Sequence, residues 1–313
     1  MADRIVDLSD EPARVSCRNG SLILERSDAP EVHVPLRDVA VVVLSHPQIS
    51  ITQPALSGLA AAGAMLITCD AARLPVGMQF PLQGNFVQTE RMALQIAASA
   101  PMKKRIWRDL VVAKVRSQGA ALHALHGSDG DLFVLAAQVR SGDPANIEAR
   151  AARRYWPLLF GDSSFRRDQD AADANRFLNY GYAVLRAIIT RAICAAGLHP
   201  SIGVHHKNRF NAFALADDVI EPFRPMVDLL VVDLIASIGA DAPLDKHAKG
   251  AIIGALMGRF PLQSEQRTLF DIAGRMSASL NAIFAGESTQ LVLPDFEEIF
   301  ATWRDQESRL LQE

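Results

Sequence analysis

Cysteine is scarce. The three residues, Cys17, Cys69 and Cys194, stand far apart with no paired C-x-x-C spacing. That excludes a disulfide framework and points to buried free thiols in a reducing compartment. Long apolar runs are missing too. Arg186 and Arg191 interrupt the stretch around Ile188, and Asp233 the one around Val231, so nothing approaches the roughly 20 residues of a membrane span. The opening Met1-Ala-Asp-Arg-Ile-Val-Asp has no apolar segment of the secretory type, and the expectation is a soluble cytoplasmic protein that meets no membrane. An excess of positive charge is also absent, since the formal net charge is −3. A histone-like polycation is excluded, but a nucleic-acid ligand is not, because local field outweighs the total.

What is present is an ordinary globular composition, 49% hydrophobic and 21% charged, which rules out wholesale disorder. A chain of 313 residues can bury most of its unfolded surface without a disulfide or structural metal. Its length suits two domains.

The first eighty or so residues have strand character. Arg14 to Leu24 alternates around Asn19-Gly20, the strongest short-range hairpin signal. Val32 to Pro35 and Val39 to Leu44 are further apolar strands. Pro54 to Ala62 reads as a helix capped by Gly63, with Met65 to Cys69 as a return strand. Leu74-Pro75-Val76-Gly77 closes the unit with turn residues. From Asn85 the apolar period changes from two to 3.6. Helices are expected over Thr89 to Ala98, Lys103 to His126, Pro144 to Leu159, Asp173 to Ala196, Met226 to Ile238, Asp245 to Met257 and Ser277 to Phe284. Asp143-Pro144 reads as an N-cap followed by proline at the first helical position, and Gly197 as a helix stop. The fold class is therefore α+β. A small N-terminal β-rich domain, residues 1–82, precedes a larger all-α catalytic domain, residues 83–313.

Basic residues are unevenly placed. Lys103, Lys104, Arg105, Arg108, Lys114 and Arg116 crowd a stretch whose one acid is Asp109; Arg150, Arg153, Arg154, Arg166 and Arg167 form a second group. Acids collect in the tail from Asp295 to Glu313. Such stretches serve either as solvated helix faces or as phosphate contacts.

Three segments could carry chemistry. In Asn146-Ile-Glu-Ala-Arg-Ala-Ala-Arg-Arg-Tyr-Trp, Glu148 sits near a helix start, where the macrodipole favours a carboxylate. Ala151, Ala152 and Tyr155 share its face, and the small residues leave room for something bulky. In Gly203-Val-His-His-Lys-Asn-Arg-Phe-Asn, adjacent histidines cannot both face one site, so at most one of His205 and His206 is a ligand or base. In Leu215-Ala-Asp-Asp-Val-Ile-Glu-Pro-Phe-Arg-Pro, Asp218 and Glu221 are three apart and can point together. Each segment alone also suits an ordinary surface. Together they supply a mixed oxygen and imidazole donor set of the kind that suits Mg²⁺ or Mn²⁺, and such a site serves metal-assisted phosphoryl chemistry.

These segments together resemble the CRISPR-associated integrases of spacer acquisition, and specifically their type II branch. The resemblance is carried by Trp107 with Val111, Val112, Lys114, Val115 and Gln118, by Asn146 to Tyr155, by Asn175-Arg-Phe-Leu-Asn-Tyr-Gly-Tyr, by the block Gly197 to Pro225, and by Pro75-Val-Gly-Met. It implies a two-domain fold and a metal site of Glu148, His206 and Glu221, with Asp218 as a further acid for a second metal or a water. It implies an endonuclease-integrase that joins short duplex DNA fragments to a repeat array. A 3′-hydroxyl attacks a phosphodiester, with Mg²⁺ or Mn²⁺ as cofactor. A non-catalytic scaffold and a metal-dependent nickase of branched DNA are the alternatives. The implied partners are double-stranded DNA, a second copy of the chain, and a small ferredoxin-like partner (Cas2) bridging two dimers into a heterohexamer, with the type II effector machinery as a further candidate. Strands Arg14 to Leu24 and Val39 to Leu44 would lie in or near the dimer contact. Lys103, Lys104, Arg105, Arg108, Arg153 and Arg154 would track the DNA backbone. Lys207, Arg209 and Arg224 would either clamp the attacked phosphate or pair with Asp217 or Asp218.

Overall fold

The computed structural model describes residues 3–302 apart from 28, 72–74, 169–170, 172 and 263–264. Its architecture is organised around one strand. The run Val39–Leu44 (β5) is apolar at every position, the pattern of a strand covered on both faces. It lies between β1 (Arg4–Leu8) and β7 (Met65–Cys69), parallel to both, and β8 (Pro75–Gln79) extends the sheet antiparallel to β7. A second four-stranded sheet has the order β4 (Ala29–Pro35), β3 (Ser21–Arg26), β2 (Arg14–Arg18), β6 (Ser50–Ile51). Asn19 and Gly20, both at positive φ of 51° and 72°, make the two-residue turn between β2 and β3, as the Asn-Gly pair demands.

Val39 and Val42 pack with Val15, Leu22 and Leu24 of the second sheet and with Leu59 of α1 (Gln53–Ala61). Val41, Val43, Met65 and Ile67 join the helical core on the opposite face. Hydrophobic burial thus runs without a break from the strands into the helices. Because β5 is enclosed between β1 and β7 and covered on both faces, its own side chains offer little surface to a second copy of the chain.

The helical part comprises α2 (Gln88–Ala97), α3 (Ala100–His126), α4 (Leu132–Ala136), α5 (Ile147–Phe160), α6 (Asn175–Ala195), α7 (Ala214–Ile220), α8 (Arg224–Ile238), α9 (Lys246–Leu256) and α10 (Leu269–Phe284). α6 and α3 are its axes; sixteen residues of α6 are buried, among them Phe177, Tyr180, Leu185 and Ile189. The part is not all-α, since β9 (Arg259–Leu262) and β10 (Glu265–Thr268) form an antiparallel hairpin. Pro75–Gln79 is a strand where a turn was expected; Leu74 lies outside the described residues, as do residues 303–313 of the acidic tail. α5 starts at Ile147, three residues beyond Pro144. α10 starts at Leu269 because Thr268 accepts from the Asp271 N–H at 3.3 Å, a cap upstream of the expected start at Ser277.

α6 and α8 touch closely at Gly181. A Cβ there would fall 2.4 Å from Val227 Cγ1. Gly181→Ala gains about 1 kcal/mol of helix propensity but forces the helices apart at a cost of about 1–3 kcal/mol. The variant should unfold at a lower urea concentration with an unchanged m-value; a raised midpoint would show that the contact yields.

Candidate active site

Glu148 stands in the first turn of α5, where its own N–H is held. The Asp143 carboxylate, from the loop before the helix, accepts from the Ile147 N–H at 2.9 Å and the Glu148 N–H at 3.0 Å. Asp143 therefore caps the helix from four residues before Ile147, and not as the N-cap of a helix that begins at Pro144. Glu221 follows α7 in a single 3-10 turn, Glu221–Phe223, and is buried. Lys114 reaches both acids from the middle of α3. Its Nζ lies 2.6 Å from Glu148 Oε1 and 2.5 Å from Glu221 Oε2. Arg224 Nε donates to the other oxygen, Glu221 Oε1, at 2.8 Å.

The electrostatics follow from that geometry. Burial alone pushes the Glu221 carboxyl up, but Arg224 and Lys114 overcome it and hold it at about 2. Burial opposes charge on Lys114, yet Glu221 and Glu148 keep its ammonium above the usual lysine range. Glu221 stays ionised beside its lysine.

His206 is oriented from behind. Asp218, fully buried at the end of the loop's reach, accepts from the N–H groups of Val204, His205 and His206 at 2.7, 3.0 and 3.1 Å. Its Oδ1 also meets His206 Nδ1 at 2.7 Å. An oxygen already accepting from N–H groups leaves Nδ1 as the donor, so Nε2 carries the lone pair. The bond to Asp218 raises the imidazole pKa against the opposing effect of burial. The loop wraps this closely because residue 203 is glycine: a Cβ there would sit 2.7 Å from the His206 carbonyl and 2.9 Å from Asp218 Oδ2. His205 turns the other way and stacks flat on Trp107, ring centroids 4.0 Å apart. Burial lowers its pKa. Trp107 meets His206 edge-on at 5.8 Å.

Asp218 is thus turned into the loop with its oxygens engaged, and not toward Glu148 and Glu221. Among the described residues, no three His, Cys, Asp or Glu side chains lie close enough together, as they stand, to hold one ion. Lys114 occupies the space between the two glutamates. Arg224 pairs with Glu221 itself, and its guanidinium covers the Tyr182 ring at 4.5 Å. The acid expected to take it, Asp217, pairs with Arg186 at 2.7 Å and accepts from Asn211 at 2.8 Å. Lys207 and Arg209 are exposed on the His206 loop, with Arg209 over Phe210 at 4.6 Å.

Of the helix bases, Lys104 is exposed and Lys103, Arg105 and Arg108 are half-buried; Arg108 pairs with Asp109 at 2.6 Å. Arg153 and Arg154 are exposed, and Arg154 pairs with Asp131. Behind Arg224 lies a pair of phenols that the sequence signals did not single out as a unit. Tyr155 donates to Asp228 Oδ2 at 2.9 Å and Tyr182 to Asp228 Oδ1. Tyr155 lies seven residues after Glu148, on the same face of α5, as the spacing predicts, but its pairing with Tyr182 through Asp228 has no local signal.

The sequence profile of the family described as CRISPR associated protein Cas1 matches residues 7–243. The chain belongs to the Cas1 family. The CRISPR-associated endonuclease Cas1 of Neisseria meningitidis serogroup C (strain 8013) is 35% identical over 286 residues, 90% of this chain and 93% of that one. Among solved structures, a casposase bound to integration product superposes with a TM-score of 0.78 at 20% identity, covering 94% of this chain and 93% of that one. A Cas6-RT-Cas1–Cas2 complex chain superposes with a TM-score of 0.76 at 19% identity, covering 94% of this chain and 36% of that one. The chain is a homologue of CRISPR-associated Cas1 endonucleases and shares the fold of a casposase. No helix among the described residues is long and apolar enough to cross a membrane.

Asp228 supplies a pH test of the scaffold. Burial pushes its carboxyl up to about 7, against the phenols and Arg224. A raised acid contributes stability fully below its unfolded value of 3.8, and that contribution is lost as pH rises through 7. Between pH 5 and 8 the wild type should lose about 2–3 kcal/mol more than Asp228→Asn. Urea unfolding at the two pH values checks this; equal losses would remove the assignment.

Proposed function

We propose that this Cas1 protein is a divalent-metal-dependent DNA integrase of the type II branch, which inserts short duplex fragments into a CRISPR repeat array. The observation that carries the reading is the Glu148–Lys114–Glu221 contact beside an imidazole whose Nδ1 is tied to Asp218. Two acids that meet one cation form a site complementary to positive charge. An imidazole hydrogen-bonded through Nδ1 is the arrangement found behind metal-binding histidines. The donor set of two carboxylates and one imidazole fits Mg²⁺ or Mn²⁺.

Glu148, His206 and Glu221 would hold the ion, with Asp218 as the residue that positions His206 rather than as a further ligand. When bound, a divalent cation neutralises charge at the attacked phosphorus and favours the ionised 3′-hydroxyl. The chain's own residues do the rest. Asp143 fixes Glu148, Trp107 and Asp218 fix the histidine loop, and Arg224 fixes Glu221. The attack exchanges one phosphodiester for another, so no nucleoside triphosphate is consumed and no side chain becomes covalently bound.

Exposed Lys104, Lys207, Arg209, Arg153 and Arg154 supply sequence-neutral phosphate contacts, as a protein accepting varied fragments requires. Lys103, Arg105 and Arg108 lie beside Lys104 on α3, and Arg224 beside the site. Residues 1–82 form the dimerisation domain and residues 83–313 the catalytic one. Cas2 bridges two dimers in the cytoplasm, a partnership supported by the Cas6-RT-Cas1–Cas2 complex among the structural neighbours.

The test uses a labelled fragment, a supercoiled repeat plasmid and Mn²⁺, with and without Cas2. Glu148→Gln and Glu221→Gln should each abolish joining and leave duplex binding intact. Cleavage without joining would mark a nickase, and binding without either would mark a scaffold. In parallel, fluorescence anisotropy across a salt series should show the binding slope of Lys104→Ala reduced by roughly 0.9. An unchanged slope would make the α3 bases a solvated face and move the DNA path to Arg153 and Arg154.

A further inference from the structure

Lys114 is the one group that touches both glutamates. It donates a hydrogen bond to Glu148 Oε1 at 2.6 Å and pairs with Glu221 Oε2 at 2.5 Å. Arg224 engages the second Glu221 oxygen, so Glu221 keeps a cation partner when the lysine moves. The Lys114 side chain is 11% exposed. Its base is fixed, because Leu110, Val111, Val115 and Gln118 of α3 are all buried around it. Any movement belongs to the flexible four-carbon stem, which carries a compact point charge.

An ammonium and a divalent ion cannot share one gap between two carboxylates, because like charges at contact distance repel strongly away from bulk water. Resting on the metal site proposed above, we infer that Lys114 is a tethered counter-ion of the Glu148–Glu221 pair, which a divalent ion must displace before it can load. The lysine then has two effects. It keeps a buried and a half-buried carboxylate from repelling each other when no metal is bound, so that the site stays assembled. It also competes with the metal, and so sets the ion concentration at which the site fills. A permanent structural ion pair would do the first and not the second.

The experiment has two arms, both on the full chain. In the first, Mn²⁺ binding is measured by titration calorimetry for wild type, Lys114→Met, Lys114→Gln and Glu148→Gln. In the second, wild-type protein is acetylated with EDTA or with Mn²⁺ present, and labelling is read residue by residue by mass spectrometry. Removing the ammonium should tighten Mn²⁺ binding at least tenfold, while Glu148→Gln weakens it at least tenfold. Lys114 should acetylate at least fivefold faster with Mn²⁺, while Lys246, which is 77% exposed, labels equally in both. Unchanged or weaker binding by both Lys114 variants, with Glu148→Gln still impaired, overturns the inference and leaves the metal site standing. Lys114 labelling that stays flat or falls overturns it too, with no variant that must fold. Glu148→Gln binding Mn²⁺ as wild type does would overturn the proposed metal site and this inference together.

Discussion

Two carboxylates from distant parts of the chain meet around one positive charge, and the rest of the helical region is arranged to make that tolerable. Glu221 is buried and Glu148 partly so. Uncompensated, such a pair costs several kcal/mol in desolvation and mutual repulsion. The long helix α3 supplies the compensating ammonium from its buried middle, Arg224 adds a second cation one helical turn after Glu221, and Asp143 anchors the backbone from which Glu148 projects. Each partner comes from a different element, so the site exists only when α3, α5, α7 and α8 are packed together.

Aspartates do most of the positioning. Asp218 gathers three backbone N–H groups and the His206 ring. Asp228 takes the phenols of Tyr155 and Tyr182, and Asp7 takes that of Tyr180 at 3.1 Å. The chain has three tyrosines, and every one donates to an aspartate. Satisfied buried networks of this kind rigidify a core and fix one packing. Of these, the Asp218 network holds His206 and the Asp228 network backs Arg224, which pairs with Glu221.

Much of this was legible in the sequence. The apolar run Val39 to Leu44 announced a strand, Asn19-Gly20 announced the turn between β2 and β3, and the change from period two to 3.6 near Asn85 separated the strands from the helices. Glu148, His206 and Glu221 were named through a resemblance carried by long, ordered segments, and two of them, Glu148 and Glu221, meet at Lys114. Other features were not legible. Local signals do not report which ion pairs form across elements, so Lys114 looked like one more base on a basic helix, and the partners offered for Arg224, a phosphate or Asp217 or Asp218, did not include Glu221. Asp218 was read only as a further acid of the site; that it gathers three N–H groups of the histidine loop and the His206 ring depends on a loop conformation that spacing does not report. The hairpin β9–β10 escaped notice because four-residue strands carry too little period-two signal among helices.

Membership of the Cas1 family and the shared casposase fold place DNA chemistry within reach, but the account turns on whether three side chains from three segments share one ion. Diffraction from Mn²⁺-soaked crystals, with an anomalous difference map, tests this directly. The account predicts one strong peak bound by Glu148, Glu221 and His206 Nε2, with the Lys114 ammonium moved out of the gap. A peak on His205, or none near the two glutamates, would contradict it.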